Sequence, residues 1–100
     1  MVKHVILWKI KEEYSEEEKQ RIKNDAKREL EALVGKIEGL KTLTIETSGL
    51  ATSNADMMLY SEFSSEEALK GYAKHPIHCA AADGFVRPYI ESRLCLDFEA

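Results

Sequence analysis

The sequence has no excess of basic charge and no long apolar run. It contains 18 acidic against 14 basic residues, for a formal net charge of −4, so it offers no electrostatic footprint for nucleic acid. The N-terminal stretch is interrupted by Lys3, His4 and Lys9 and is too short for a signal peptide or a membrane span. We therefore expect a cytoplasmic protein with no nucleic-acid or membrane partner.

Cysteine is also scarce. Cys79 and Cys95 form an unpromising disulfide framework and are expected to be small buried hydrophobic residues. None of the usual cysteine or histidine frames for zinc is present, and neither a glycine-rich phosphate loop nor a nucleophile elbow occurs. The sequence therefore predicts no metal and no cofactor.

The apolar content is sufficient for one compact core, because 44% of the residues are hydrophobic. We expect a single domain over residues 1–100. The first half of the chain is predicted to form a strand at 2–11, a helix at 16–35 and a strand at 40–48. The second half is predicted to form a strand at 57–63, a helix ending near residue 75, a helix spanning 76–90 and a strand at 92–99.

Local signals support this division. Ser15 is followed three residues later by Glu18, which is typical of a capping box. Pro76 pushes His75 out of the helical region and itself suits the first position of a new helix. The order βαββαβ, with the second helix broken in two, predicts a ferredoxin-like α+β fold with a four-stranded antiparallel sheet and helices on one face.

The predicted strands carry apolar residues on both faces. In the first strand Ile6 and Trp8 point one way, while Val5 and Leu7 point the other. A sheet covered by helices on one side and by water on the other alternates more cleanly than this. We therefore expect the second face to meet the same face of another copy, giving a homodimer. Scattered surface apolar residues are the alternative interpretation.

The run YAKHPIH contains the residues best suited to chemistry. If Pro76 opens a helix, His78 is its third residue, close to the positive end, which disfavours imidazolium and lowers the pKa. A neutral imidazole suits a general base, and Tyr72 could stabilise a substrate oxygen. His4 shares a strand face with Ile6 and Trp8, which we expect to look toward the helices and line an apolar pocket.

The same side chains also have purely structural interpretations. His75 is expected to cap a helix, and Tyr72 and His4 could be packing residues. A metal cluster of His75, His78, Cys79 and Asp83 is disfavoured because the spacing matches no known zinc frame.

The chain resembles the stress-responsive A/B barrel domain (Dabb) family of the dimeric α+β barrel superfamily. The resemblance rests on the opening VKHVILWKIK, the passage ADMMLYSEFSSEEALKGYAKHPIH and the closing strand LCLDF, and YAKHPIH is its most specific part. It implies a ferredoxin-like monomer whose sheet packs face to face with that of its mate.

The resemblance implies several functions. Some plant members are associated with stress response and some members are polyketide cyclases, in which a tyrosine and the last histidine of this run serve an intramolecular aldol cyclisation. By position these match Tyr72 and His78, and a pocket histidine matches His4. The implied ligand is a hydrophobic, carbonyl-bearing small molecule. The alternatives are a non-enzymatic stress-associated dimer and a cofactor-independent monooxygenase-like protein.

Overall fold

The computed structural model describes residues Met1–Ala100. The elements along the chain are β1 (Val2–Ile10), α1 (Glu16–Glu31), β2 (Leu40–Glu46), β3 (Met57–Phe63), α2 (Glu66–Lys74), α3 (Pro76–Phe85), a short 3₁₀ turn (Arg87–Tyr89) and β4 (Ile90–Glu99). The strands form one antiparallel sheet in the order β2-β3-β1-β4. This is the ferredoxin-like α+β fold that the sequence predicts. None of the helices has the length and apolar character needed to cross a membrane.

Helix α1 begins where the sequence predicts and ends earlier. The Ser15 hydroxyl accepts a hydrogen bond from the Glu18 amide at 3.1 Å, and the Glu18 carboxylate accepts one from the Ser15 amide at 2.9 Å. The predicted end at residue 35 is wrong, because the helix stops at Glu31 and gives way to turns. Gly35 has a φ of 91°, a left-handed conformation that a right-handed helix cannot contain.

The last helix is also shorter than predicted. α3 starts at Pro76 but ends at Phe85, since Val86 leaves the helical region with φ −127° and ψ −66°. The chain then makes the 3₁₀ turn around Pro88 and enters β4 at Ile90, two residues before the predicted start. β1 and β2 end one and two residues before their predicted limits, where the strand pairing stops.

The hydrophobic core lies between the sheet and the helices. Ile10, Ala26, Ile45 and Phe63 are completely buried there, so β1, α1, β2 and β3 all contribute to it. Burial alternates along β1, because successive strand residues point to opposite faces. The odd-numbered positions of β1 therefore face away from the helices.

The sheet face away from the helices, here called the open face, carries a large apolar patch. Leu94 and Leu96 of β4 are 72% and 64% exposed, and Leu7 and Phe98 are also exposed. The strand register places Leu94 beside Leu7 and Leu96 beside Val5. A contiguous exposed patch of this kind marks an interaction surface.

Two glycines after α1 offer a matched test of how the chain turns into β2. Gly35→Ala is expected to lower the free energy of unfolding by about 1–2 kcal/mol, the cost of a left-handed conformation for alanine, since no atom lies within 4 Å of the added Cβ. Gly39→Ala is expected to cost about 2–5 kcal/mol. Its φ is also positive, at 86°, and its Cβ would lie 2.4 Å from that of Ala68. Urea unfolding at one protein concentration measures both, and equal losses would contradict the close approach of α2 to Gly39.

Candidate functional site

A cavity of about 380 Å³ opens between the sheet and the helices. Ten of its 16 lining residues are hydrophobic, including Ile6 and Trp8. The other six lining residues are polar or charged: His4, His78, Arg87, Glu91, Ser92 and Arg93. Tyr72, counted among the ten, also presents a hydroxyl group. A largely apolar cavity with a few convergent polar groups is the usual form of a small-molecule site.

The cavity brings together the residues that the sequence singles out. His4 comes from β1, Tyr72 from α2 and His78 from α3. The ring centroids of Tyr72 and His78 are 4.0 Å apart with an interplanar angle of 35°, and those of Tyr72 and His4 are 6.2 Å apart. The break between α2 and α3 at His75 allows both helices to contribute a residue. The chemical roles of these side chains stay predictions.

The imidazole of His78 is in a setting that favours its neutral form. Burial lowers the pKa of His78 below its ordinary value of 6.5, and the positive charge of Arg87 lowers it further, while the carbonyl of Ala73 opposes the shift less strongly. The direction is the predicted one, but burial is the main cause. Its Nδ1 atom is buried and has no hydrogen-bond partner, which leaves that atom's bonding capacity unused.

Tyr72 is held in its protonated form. Burial raises the pKa of Tyr72 well above its ordinary value of 10.0, although Arg87 and Arg93 act in the opposite direction. The side chain is only 2% exposed, and its ring packs against Phe63 with centroids 4.9 Å apart. No side chain or backbone group of the protein hydrogen-bonds its hydroxyl. The hydroxyl is therefore available to donate to a molecule in the cavity.

His75 has a structural role. It ends α2 and caps α3, and its Nδ1 accepts a hydrogen bond from the Ile77 amide at 3.2 Å. Asp83 is paired with Arg87 at 2.6 Å, and the Cys79 thiol donates to the Ala73 carbonyl at 3.5 Å. These residues form no metal-binding group with His78.

The sequence interpretation missed two residues beside His4. The Asp97 carboxylate is hydrogen-bonded to Nδ1 of His4, and the Cys95 Sγ lies 3.7 Å from the same nitrogen. The expectation that Cys95 is buried is wrong: its thiol is free and the residue is exposed, because β4 is an edge strand that the helices leave uncovered. The alternation of LCLDF, which puts Cys95 and Asp97 on one face, was the available signal.

Comparisons with known proteins agree with this architecture. The family model of the stress responsive A/B barrel domain matches residues 2–100. A dimeric ferredoxin-like protein of Bacteroides fragilis is 34% identical, with a TM-score of 0.92 over 99% of this chain and 95% of that one. An Arabidopsis thaliana protein is 25% identical, with a TM-score of 0.77 over 100% and 95% of the two chains.

A more distant structure shares the fold alone. The hydroxynitrile lyase of Passiflora edulis is 18% identical, with a TM-score of 0.72 over 97% of this chain and 90% of that one. No curated protein matches the sequence. The family match over nearly the whole length, together with the βαββαβ sheet, shows that the chain belongs to the stress-responsive A/B barrel (Dabb) family.

Proposed function

We propose that this protein is a homodimer whose cavity binds a hydrophobic, carbonyl-bearing small molecule and catalyses polyketide-cyclase-like acid/base chemistry on it. The convergence of His4, Tyr72 and His78 on one largely apolar cavity of about 380 Å³ carries this proposal. Residues that served only to fill the core would pack together without leaving a cavity of ligand size.

The chemistry is an intramolecular aldol cyclisation. His78, neutral because its pKa is lowered, removes a proton from the carbon between two carbonyl groups. The Tyr72 hydroxyl, protonated because its pKa is raised, donates a hydrogen bond to the resulting enolate oxygen. The enolate carbon forms a bond to a second carbonyl carbon, and the alkoxide that results takes the proton back from His78.

Positive charge beside the cavity supports the enolate. Arg87 and Arg93 both line it, and both lower the pKa of Tyr72 and of His78. The positive field of the two arginines disfavours protonation of His78. The same field stabilises a negative charge on a bound oxygen. Both arginines therefore favour the charged intermediate over the neutral substrate.

The homodimer is proposed through the open face. Its exposed leucines would be buried by the same face of a second copy, and a two-fold interface uses the same surface patch on both subunits. The Bacteroides fragilis relative is described as dimeric.

We also propose a cytoplasmic location, since Cys79 and Cys95 are free thiols, as is usual in a reducing compartment.

Two other functions compete with this one: a non-enzymatic stress-associated dimer, and a cofactor-independent monooxygenase-like protein. The first predicts no ligand in the cavity. The second predicts consumption of oxygen, whereas the aldol cyclisation consumes none.

Trp8 gives a direct test, because it is the only tryptophan and it lines the cavity. A synthetic 3,5,7-triketo ester with an alkyl tail is expected to change its fluorescence saturably and to be converted to a six-membered ring by bond formation between C2 and C7. The ester of equal length without ketone groups is expected to bind more weakly and to stay unchanged.

A pair of variants separates the cavity from the surface. Ala73 lines the cavity from an exposed position, so the larger ring of Ala73→Phe is expected to obstruct the cavity and abolish the fluorescence change. Ala80→Phe, also exposed but outside the lining, should preserve it. Saturable binding without ring formation would show that the protein binds the ester but does not cyclise it. Absence of a saturable fluorescence change would overturn the whole proposal.

A further inference from the structure

We infer that His4, Cys95 and Asp97 form a binding site for a zinc-like divalent metal ion at the edge of the sheet. One atom from each residue lies within 4.8 Å of the other two. The Cys95 Sγ is 3.7 Å from the His4 Nδ1 and 3.5 Å from the Asp97 carboxylate. The three residues are the only group of histidine, cysteine and acidic side chains in the chain that converges in this way.

The backbone holds the three side chains in place. His4 on β1 lies directly opposite Asp97 on β4, and Cys95 precedes Asp97 by two positions on the same face of the strand. Ligands carried by paired strands are placed more rigidly than ligands on loops. The arrangement therefore needs no backbone movement to present all three atoms to one point.

The separations fit a tetrahedral ion. Zinc lies about 2.3 Å from sulfur and about 2.0–2.2 Å from imidazole nitrogen or carboxylate oxygen, so ligand atoms around it are roughly 3.5 Å apart. Both distances from the Cys95 sulfur agree with that separation. The hydrogen-bonded His4 and Asp97 must move apart, because the ion takes the place of the proton between them. The His4 proton then resides on Nε2.

The nature of the ligands favours zinc over harder ions. Thiolate and imidazole suit zinc and cobalt, whereas magnesium and calcium prefer oxygen alone. Arg93 lines the same cleft as the three ligands and disfavours a bare cation, but the thiolate and the carboxylate together neutralise the two charges of the ion. Three protein ligands leave the fourth position open to water or to a small ligand.

The site is accessible from solvent. Cys95 and Asp97 are exposed, and with His4 they line a second cleft of about 680 Å³ that adjoins the cavity of Tyr72 and His78. An ion can therefore enter without unfolding the core. His4 belongs to both spaces, so an ion at its Nδ1 would fix the ring that borders the proposed ligand cavity.

Cobalt(II) is the probe for this site, because a thiolate ligand gives it a charge-transfer band in the near ultraviolet. Titration of the reduced full chain is expected to produce that band, saturating at one ion per chain, and added zinc should abolish it. Asp97→Asn is expected to weaken cobalt binding about tenfold or more. Removing a residue that only orients a metal ligand already weakens binding by about that factor, and removing a ligand itself costs more.

The two cysteines supply a matched control. Cys95→Ser should eliminate the charge-transfer band, and Cys79→Ser should leave it unchanged. Circular dichroism verifies that both variants are folded, which the exposure of Cys95 favours. Absence of the band in the unmodified protein would overturn the inference, as would its survival in Cys95→Ser or its loss in folded Cys79→Ser. None of these outcomes depends on cyclase activity, so failure here is distinct from failure of the proposed function.

Discussion

Leu96→Asp is expected to make the protein monomeric if the proposed homodimer forms through the open face. Leu96 is 64% exposed on the open face and is paired with Val5 in the sheet. A two-fold interface would receive the new carboxylate twice, and burying an unpaired carboxylate costs several kcal/mol per ion. The isolated subunit should keep its fold, because Leu96 contributes nothing to the buried core between the sheet and the helices.

Light scattering at micromolar concentration measures this change, with Ile77→Asp as the matched control. Ile77 is 44% exposed, so it gains the same charge at a similarly exposed position. It lies in the first turn of α3 on the helical side of the protein, where an acidic residue suits the helix dipole. Ile77→Asp should remain dimeric. A monomeric unmodified protein, or a dimeric Leu96→Asp variant, would show that the open face is not the interface.

His78→Gln is expected to slow cyclisation of the triketo ester about 10²–10⁴-fold, the usual contribution of a positioned general base. Glutamine keeps a polar side chain of similar length but cannot accept the proton. His75→Gln is the control from the same run. His75 caps α3, so its loss is expected to cost about 1 kcal/mol of stability while the rate stays unchanged. Equal rate losses in both variants would mean that the substitutions act by disturbing the junction between α2 and α3, and not by removing a general base.

Tyr72→Phe separates the hydroxyl from the ring. The phenyl ring preserves packing against Phe63, while the donor to the enolate is lost, and the rate is expected to fall about 10²–10³-fold. Binding of the triketo ester, followed by Trp8 fluorescence, should weaken far less. A rate unaffected by this substitution would remove Tyr72 from the mechanism.

The pH profile follows from the two shifted groups. The pKa of His78 is lowered below 6.5, so the base is already neutral at pH 7 and the rate should fall only on acidification below that lowered pKa. The pKa of Tyr72 is raised above 10.0, so the donor keeps its proton through the alkaline range usually studied. The rate should therefore be level from neutral pH to about pH 9. A rate that rises steeply between pH 7 and 8 would contradict the buried setting of His78.

Local patterns were enough to predict the fold. The alternation of β1 predicted that Ile6 and Trp8 face the helices, and the capping box set the start of α1. His75 and Pro76 predicted the break between α2 and α3. These features depend on neighbours within a few residues, which a sequence displays directly.

The remaining features depend on residues far apart in the chain. The approach of Asp97 to His4 depends on the register in which β4 pairs with β1, which alternation within either strand does not specify. The exposure of Cys95 follows from the position of β4 at the sheet edge. The pKa of His78 is lowered in the predicted direction, but its main cause is burial, which depends on how α2 and α3 pack. That α1 does not extend to residue 35 follows from the left-handed conformation of Gly35, which glycine permits but does not require.

The pairing of β1 with β4 also sets the order in which the protein can fold. His4 and Asp97 are 93 positions apart, so the ribosome has made all the elements between β1 and β4 before β1 can acquire its second neighbour. Closing so long a loop is slow and entropically costly. Until it closes, the inner strand β1 has β3 on one side and an unpaired edge on the other, a surface prone to aggregation. The sheet is thus completed only after β4 has been synthesised, and docking of this strand assembles His4, Cys95 and Asp97.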